Sequence, residues 1–386
     1  MNRTFVFRLY PKPRQEVALQ KTLGACRRLY NACIEQRRVA WAHRRPVSRF
    51  DQEAQLSELR AELPEFGGVY SHVLQDVVRR ADLAFQAFFR RCKTGEQPGY
   101  PRFRARDRYD SFTYKQPANG CVRFENGKLF LSKVCRDGIR VFQHRPVLGA
   151  TRTVTVMRKA SGWYVAVSCS EVPPNASLVA GPGEVGVDVG LTHFATLSTG
   201  ETIENPRFLR EAEVRLKKRQ RCLSRKRRGS SNRREARRLL SREWERVGNR
   251  RRDFQFKAAR ALVQRFGRIG VERLDIQDMV QSGPSRGLHR SIADASWRGF
   301  LNALSSKAEE AGSAVVFVEA RGTTRECSGC GASVPKSLRE REHRCSCGVV
   351  MDRDLNAARN ILARARTEPL WRGRDAALCE TGSPAL

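Results

Sequence analysis

Apolar positions with helical spacing dominate the first hundred residues of the chain. The stretch "FVFRLYP" (5–11) predicts a short strand that ends at Pro11, and Pro13 suits the first turn of a helix. Apolar residues then recur along one helical face as far as about residue 41: Leu19, Leu23, Cys26, Tyr30 and Cys33. Similar patterns cover 51–63 and 70–92. The chain therefore begins with a strand and a block of helices.

Alternating apolar and polar positions replace the helical spacing between residues 111 and 170. "CVRFENGKLFLS" predicts a hairpin, because Asn126-Gly127 can adopt the positive φ angles of a tight turn. "TRTVTVMRKASGWYVAVS" predicts a second hairpin, and several short strands in succession favour a small β-barrel. Segment 171–183 has the composition of a linker, so we place a domain boundary there.

The chain carries far more positive charge than folding requires. Its 386 residues, enough for two or three domains, include 73 Arg and Lys against 40 Asp and Glu, a net charge of +33. A polyanion, above all nucleic acid, is the natural partner. The charge is densest in 207–252, where a solvated face is the usual explanation, but like charges this dense repel unless phosphates neutralise them. The candidate contacts there are Lys217, Lys218, Arg227 and Arg228.

Aromatic residues alternate with arginines between 93 and 115, and two interpretations of this pattern stay open. Rings can stack on bases while guanidinium groups hold phosphates. The alternative is a loop that enters a half-buried strand. The candidate nucleic-acid contacts are Tyr100, Arg102, Phe103 and Arg104, together with Arg27 and Arg28 beside the apolar face of the first helix.

The other large anionic partner, a membrane surface, is not favoured. The chain has no apolar run of about twenty residues, no signal-peptide core and no basic amphipathic segment with an insertion face. We therefore expect a cytoplasmic protein associated with the bacterial nucleoid. Eight of its twelve cysteines are scattered singly, which indicates reduced thiols. Residues 367–386 are predicted to be a disordered tail.

Three carboxylates stand on otherwise apolar elements. Asp188 lies inside the predicted strand "GVDVG", Glu272 ends the short apolar strand of "GRIGVERLDIQDM", and Asp354 lies in the first turn of the helix in "MDRDLNAARNILARA". The apolar stripe of that helix is predicted to be Leu355, Ala358, Leu362 and Ala365, with Asp352 as its N-cap. Each acid alone has a structural explanation, but a buried carboxylate is costly unless it is paired or bound to a cation.

A joint explanation is that the three acids converge on divalent cations. Two Mg²⁺ ions about 4 Å apart can activate water and stabilise the leaving oxygen of a phosphoryl displacement. Oxygen ligands suit Mg²⁺ or Mn²⁺ rather than zinc. If Asp188, Glu272 and Asp354 meet in space, the sequence predicts a metal-dependent phosphodiesterase centre.

Four cysteines form two closely spaced pairs, as in tetrahedral zinc–thiolate sites. Cys327 and Cys330 have CxxC spacing, whereas Cys345 and Cys347 have the less usual CxC spacing. His343 could therefore replace one thiolate, although four cysteines remain the favoured set. With all four ligands supplied by the protein, one structural Zn²⁺ is predicted.

The motifs together resemble the TnpB family, RNA-guided nucleases of bacterial insertion sequences related to type V CRISPR effectors. The resemblance extends over about 4–366 in "FRLYPKPRQEVALQKTLGACRRLYN", "GYPRF", "GVDVGLTHFATLS", "GVERLDIQDM", "CSGCG" and "CSCGVVMDRDLNAARNIL". "RGTTREC" loosely resembles the threonine-serine stretch that precedes the first cysteine pair in the family. The CxC pair is a mild departure.

The resemblance implies a multidomain α+β and α/β architecture. Its expected parts are a wedge-like β-barrel (1–11 and 105–180), a helical recognition block (12–104), a RuvC-like, RNase H-type nuclease domain (181–322 and 351–366) and an inserted zinc ribbon that binds the target nucleic acid (323–350). It makes Asp188, Glu272 and Asp354 the catalytic, Mg²⁺-binding residues. It also implies a guide RNA transcribed from the transposon end, recognition of a short target-adjacent motif, and cleavage of the matched double-stranded DNA.

A transposase and a DNA-binding protein that does not cut DNA are the alternatives to a guided nuclease. Transposases with an acidic triad generally order their acids Asp, Asp, Glu, whereas the order here is Asp, Glu, Asp. A guided DNA-binding repressor that does not cut, or a plain zinc-ribbon DNA-binding protein, would need no triad. All three acids are present, which favours the nuclease.

Overall fold

The computed structural model describes residues 1–368 except 176, 277, 278, 280–284, 338 and 339. The chain divides into two compact units between Pro173 and Pro174, inside the segment of linker composition. From residue 369 onward, the predicted tail lies outside the described residues. No helix among the described residues has the length and apolar character needed to cross a membrane.

The first unit begins with one strand and a block of five helices. The strand is β1 (Arg3–Tyr10), and the helices are α1 (Pro13–Ala42), α2 (Arg49–Ala54), α3 (Leu56–Glu62), α4 (Pro64–Gly67) and α5 (Ser71–Lys93). The predicted apolar face of α1 is confirmed, because all its members are buried: Leu19, Leu23, Cys26, Tyr30 and Cys33.

The strands of the first unit form one seven-stranded antiparallel sheet. Its other members are β2 (Ser111–Lys115), β3 (Val122–Glu125), β4 (Lys128–Leu131), β5 (Cys135–Phe142), β6 (Ala150–Lys159) and β7 (Gly162–Ser170), in the order β2-β6-β7-β1-β5-β4-β3. Both predicted hairpins are confirmed, β3–β4 and β6–β7. The turn of the first has positive φ at both residues, 49° at Asn126 and 69° at Gly127.

The predicted small barrel is observed as an open sheet. Within the described part of the chain, the end strands β2 and β3 do not pair with each other. The outer edge of β2 faces α5 instead, where Arg80 Nη1 donates to the Ser111 carbonyl at 2.9 Å. Asp76 holds this arginine in place through a 2.7 Å contact with its Nε. Because a side chain satisfies the edge, no further strand is required there.

The second unit contains a five-stranded mixed sheet in the order β10-β9-β8-β11-β12. Its strands are β8 (Gly183–Val189), β9 (His193–Leu197), β10 (Thr202–Glu204), β11 (Phe266–Arg273) and β12 (Ala314–Glu319). Strands β8, β11 and β12 are parallel, whereas β9 and β10 pair antiparallel. Among the described residues between β10 and β12, the helices are α6 (Phe208–Ser224), α7 (Ser231–Arg265), α8 (Arg286–Ala295) and α9 (Trp297–Ala311).

A small two-stranded ribbon leads into the last helix. The ribbon pairs β13 (Glu342–Arg344) with β14 (Val350–Asp352), and α10 (Arg353–Thr367) follows at once and packs on β8 and β11. The predicted apolar stripe of α10 was only half right. Its leucines are partly buried, and the buried apolar face consists of Ala357, Ala358, Ile361 and Ala365. Alanines make up most of this buried face, and Ile361 is its one large member.

Two glycines of the sheet permit this close approach. A Cβ at Gly186 would lie 2.0 Å from the carbonyl oxygen of Ala358 and 2.7 Å from the amide nitrogen of Leu362. A Cβ at Gly270 would lie 2.7 Å from Cβ of Ala365. Because backbone cannot yield as a flexible side chain does, these positions exclude any residue larger than glycine.

We expect Gly186→Ala to destabilise the second unit by about 1–3 kcal/mol, the usual cost of forcing extra atoms into a packed core. Urea unfolding followed by circular dichroism measures this change. The matched control is Gly248→Ala inside α7, where a Cβ meets nothing within 4 Å. That variant should gain about 0.5–1 kcal/mol from higher helix propensity. Equal stability of the two variants would contradict the packing argument.

Candidate functional site

Two of the predicted acids lie side by side on neighbouring parallel strands. Val187 of β8 is in register with Val271 of β11, and Asp188 and Glu272 each follow by one residue. Side chains at equivalent positions of parallel strands point to the same face, with the strands about 4.8 Å apart. Each acid is only 9% exposed. The carboxyl ends of the central strands therefore carry two adjacent buried carboxyl groups.

Helix α10 brings the third acid to the same place. Gly186 and Gly270 each precede a strand acid by two residues, so the face that receives α10 is the face that carries Asp188 and Glu272. The predicted N-cap is confirmed, since Asp352 Oδ1 accepts from the backbone N–H of Asp354 at 2.8 Å. Oδ2 of Asp354 lies 4.0 Å from the position of a Cβ at Gly190, just beyond the end of β8.

The electrostatics of the cluster confirm that the acids are close neighbours. Burial raises the pKa of Asp188 well above its usual range, and the negative charges of Glu272 and Asp354 raise it further. Burial also raises the pKa of Glu272, although a hydrogen bond from Thr323 and the charge of Arg364 oppose the shift. Ionising both carboxyl groups without a compensating cation therefore costs free energy.

Positive groups partly compensate Asp354. Arg353 Nη2 lies 3.3 Å from its Oδ1, and Arg341 Nη1 lies 3.8 Å from its Oδ2. Two buried carboxyl groups with raised pKa values and a third, partly buried carboxylate fit hard divalent cations such as Mg²⁺, which take oxygen ligands. Asp188, Glu272 and Asp354 are the residues that could hold them.

The four predicted cysteines form the tightest potential metal site. Sγ of Cys327 lies 3.6 Å from Sγ of Cys347, and Sγ of Cys330 lies 3.6 Å from Sγ of Cys345. Tetrahedral zinc with Zn–S bonds of about 2.3 Å requires sulfurs about 3.8 Å apart. Among the described residues, these side chains are the one set whose ligand atoms all lie within 4.8 Å of one another.

His343, the alternative zinc ligand, lies outside the four-sulfur set. Its ring is fully buried beside Cys327, and its Nδ1 contacts Nζ of Lys336. The backbone N–H of Cys347 lowers the pKa of the Cys345 thiol to about 6, which favours the thiolate form that binds metal. The geometry therefore supports four cysteines as the ligand set.

The predicted nucleic-acid contacts are mostly accessible. All of them are exposed except Arg27, which is half-buried: Arg28, Tyr100, Arg102, Phe103, Arg104, Lys217, Lys218, Arg227 and Arg228. Two of them already have acidic partners, since Arg28 Nε donates to Glu65 at 2.9 Å and Lys217 Nζ lies 2.9 Å from Glu213.

Each of the two interpretations of the aromatic segment holds for some of its residues. Tyr109, Phe112 and Tyr114 are buried in the core of the first unit, as a loop entering a strand requires. Tyr100 and Phe103 are 43% and 50% exposed, so they alone remain available for stacking on bases.

Sequence reasoning missed a group of polar residues around the acids. Thr323 donates to Glu272, and Asn360 and Arg364 of α10 hold the segment that carries this threonine. The signals in the sequence were the threonine pair of "RGTTREC" and the four-residue spacing of Asn356, Asn360 and Arg364. Neither signal assigned a partner before the fold placed them together.

Three family models match consecutive parts of the chain. Residues 167–283, which include Asp188 and Glu272, match a family described as "Probable transposase". Residues 297–361, which include the four cysteines and Asp354, match "Cas12f1-like, TNB domain". Residues 1–46 match a "Helix-turn-helix domain", although the structure there shows β1 followed by the single 30-residue helix α1.

Curated relatives match nearly the whole chain. A Streptomyces pristinaespiralis protein named "Putative RNA-guided DNA endonuclease" is 36% identical, over 94% of this chain and 89% of its own length. "Putative RNA-guided DNA endonuclease InsQ" of Escherichia coli K12 is 30% identical, over 93% of this chain and 91% of its own length.

Among solved structures, the "Cryo-EM structure of the Cas12f1-sgRNA-target DNA complex" contains a similar chain. The TM-score is 0.54 at 13% identity, over 90% of this chain and 82% of the other, which establishes likeness of fold alone. The fold is therefore mixed α+β and similar to that of the Cas12f1 chain, and the four-cysteine cluster fits a zinc ribbon. The sequence identity to the curated relatives, over more than nine tenths of the chain, shows the family. This chain belongs to the TnpB family.

We expect Asp188→Asn to raise the thermal unfolding midpoint at pH 8 in buffer without added divalent cations. Folding raises the pKa of this carboxyl, so the folded chain binds more protons than the unfolded chain between the two pKa values. Stability of the wild type should therefore fall as pH rises, and the gain from Asp188→Asn should shrink as pH is lowered toward 4.

Differential scanning fluorimetry at several pH values measures this dependence. The control is Asp253→Asn, an exposed acid of α7 paired with Lys257, which should change the midpoint little at any pH. A pH-independent effect of Asp188→Asn would contradict the proposed burial of charge.

We expect Cys330→Ser to lower the zinc content below about one per chain, because a closed tetrahedral site needs all four thiolates. Inductively coupled plasma mass spectrometry measures the bound metal. Cys222→Ser is the matched control, since Cys222 is an exposed cysteine of α6 outside the four-sulfur set. Unchanged zinc in Cys330→Ser would assign the metal to other ligands.

Proposed function

We propose that this protein is an RNA-guided DNA endonuclease that cuts guide-matched DNA next to a short target-adjacent motif. The proposed chemistry is two-metal-ion hydrolysis of the phosphodiester at Asp188, Glu272 and Asp354. The observation that carries this proposal is the convergence of three carboxyl groups from β8, β11 and α10 at one end of the sheet, of which the two strand acids are buried and Asp354 is partly buried.

Each acid is held on a rigid element, as catalysis by positioned metal requires. The two strand acids are fixed by a parallel ladder, and Asp354 is fixed by the first turn of a capped helix. Bound Mg²⁺ or Mn²⁺ would activate water and stabilise the leaving oxygen. The mixed sheet with three parallel strands supports a RuvC-like, RNase H-type nuclease domain over 181–322 and 351–366.

The four cysteines are proposed to hold one structural Zn²⁺ within a ribbon over 323–350. The protein supplies every ligand, so no coordination position is left open for chemistry. The ribbon ends at β14, immediately before the catalytic helix α10. Its proposed role is therefore to fix how the chain returns to the nuclease site.

The nucleic-acid partners are proposed from the names of the curated relatives and from the net charge of the chain. The curated relatives are named as RNA-guided DNA endonucleases, and a net charge of +33 suits a protein that holds a guide RNA and a target DNA by their phosphates. We propose that the guide comes from the transposon end and that the wedge-like part (1–11 and 105–180) together with the helical block (12–104) recognises the target-adjacent motif. The bacterial nucleoid would be the place of action.

Asp188→Ala and Asp354→Ala should each lower DNA cleavage by about 10³-fold or more, because each removes a ligand of the catalytic cations. Guide and target binding should stay near wild type, because these residues contribute little to phosphate contacts. The test incubates the protein, purified with its RNA, with DNA matched to that RNA in the presence of Mg²⁺. Sequencing the RNA supplies the match, and Asp253→Ala is the exposed-acid control.

The outcomes of this test separate the candidate functions. Cleavage by the wild type and the control, with loss in both triad variants, supports the nuclease. Guided binding without cleavage by the wild type would identify a repressor. Normal cutting by either triad variant would refute the assignment of the acids, and absence of specific RNA would indicate an unguided DNA-binding protein.

A further inference from the structure

The side chain of Thr323 reaches a catalytic carboxylate from the segment that leads into the ribbon. Its Oγ1 lies 2.5 Å from Oε1 of Glu272, and its residue is 1% exposed. The carbonyl oxygen of Ala320 is a second acceptor at 3.0 Å. The Glu272 carboxylate is both the stronger and the closer acceptor. The single hydroxyl hydrogen of Thr323 is therefore donated to Glu272.

We propose that Thr323 is a positioning residue that fixes one oxygen of Glu272 and so leaves the other oxygen aimed at the catalytic cation. The proposal rests on the proposed function, because it concerns the same metal centre. Hydrogen bonds to a ligating carboxylate orient it and restrict its rotation, which strengthens the metal site. An acid at the end of a strand otherwise retains rotation about its terminal bond.

Three side chains of α10 hold the threonine segment in place. Asn360 Nδ2 donates to the carbonyl oxygens of Thr323 at 2.8 Å and of Glu326 at 2.7 Å. Arg364 Nη1 donates to the Arg321 carbonyl at 2.8 Å. Because Asn360 is only 8% exposed, its bonds are protected from exchange with water.

The third side chain extends this arrangement to the cysteines. Asn356, which is fully buried, donates to the carbonyl oxygen of Glu326 at 2.7 Å and accepts from the backbone N–H of Ser328 at 2.9 Å. Cys327 lies between these two contacts. Residues at four-residue intervals share one face of a helix, so a single face of α10 holds both Thr323 and the first cysteine pair.

This arrangement links three parts of the site through one helix. The start of α10 carries Asp354, its apolar face packs on the strands of Asp188 and Glu272, and its polar face holds Thr323. A displacement of segment 320–328 would therefore move the hydroxyl group away from Glu272. The polar face of α10 is what fixes the distance between them.

The test compares Thr323→Val, which removes the hydroxyl at nearly constant volume, with Thr323→Ser, which keeps it. Isothermal titration calorimetry of the zinc-loaded full-length protein with Mn²⁺ measures the site directly, with Asp188→Ala as the background. We expect Thr323→Val to weaken Mn²⁺ binding and to raise the Mg²⁺ concentration for half-maximal cleavage by about 10–100-fold. Thr323→Ser should remain close to wild type.

Thr324→Val is the matched control, since Thr324 is the exposed neighbour and should change neither quantity. Thr323→Ala repeats the test if the valine variant does not fold. Wild-type Mn²⁺ affinity in a folded variant without the hydroxyl would overturn the proposal, even if its unfolding midpoint fell. If the wild type binds Mn²⁺ and Thr323→Val weakens this binding but nothing is cut, the positioning role stands and the nuclease function fails.

Discussion

The contact between α10 and the five-stranded sheet is the constraint on which the rest of the second unit depends. Backbone atoms of the helix occupy the space that a Cβ of Gly186 would need, and Gly270 makes room in the same way on the neighbouring strand. So close an approach brings the first turn of α10 to the carboxyl ends of β8 and β11. The arrangement of the three acids is therefore a consequence of backbone packing, and the acids themselves do not have to attract one another.

The acids themselves destabilise the arrangement that holds them. Burial and mutual repulsion raise the pKa of Asp188, and the cluster is compensated only in part by Arg353 and Arg341 near Asp354. Apolar packing and the cap at Asp352 provide the stabilisation that offsets this cost. A site stabilised in this way leaves negative charge uncompensated, and the proposed divalent cations would supply the opposite charge.

The cysteine cluster and the three acids, which are candidate sites for two different metals, are both held by the same helix. The cysteine cluster is a soft, closed set of sulfurs, whereas the acids are hard oxygens at the end of a sheet. The polar face of α10 holds the segment between them, and its apolar face holds the sheet. One helix therefore orients both candidate sites, which explains why a cysteine pair and Asp354 lie within a few residues of each other.

The sequence by itself predicted several elements of the fold and the side chains that are proposed to hold metal. Apolar periodicity correctly predicted α1, both hairpins and the strands that carry Asp188 and Glu272, because local propensity and burial agree there. Spacing alone identified the four cysteines. The tertiary structure alone decided that the predicted barrel is an open sheet, that Ala357 and Ile361 replace the leucines at the centre of the α10 contact, and that Thr323 reaches Glu272. These features depend on distances between segments far apart in the chain, and periodicity within one segment carries no information about such distances.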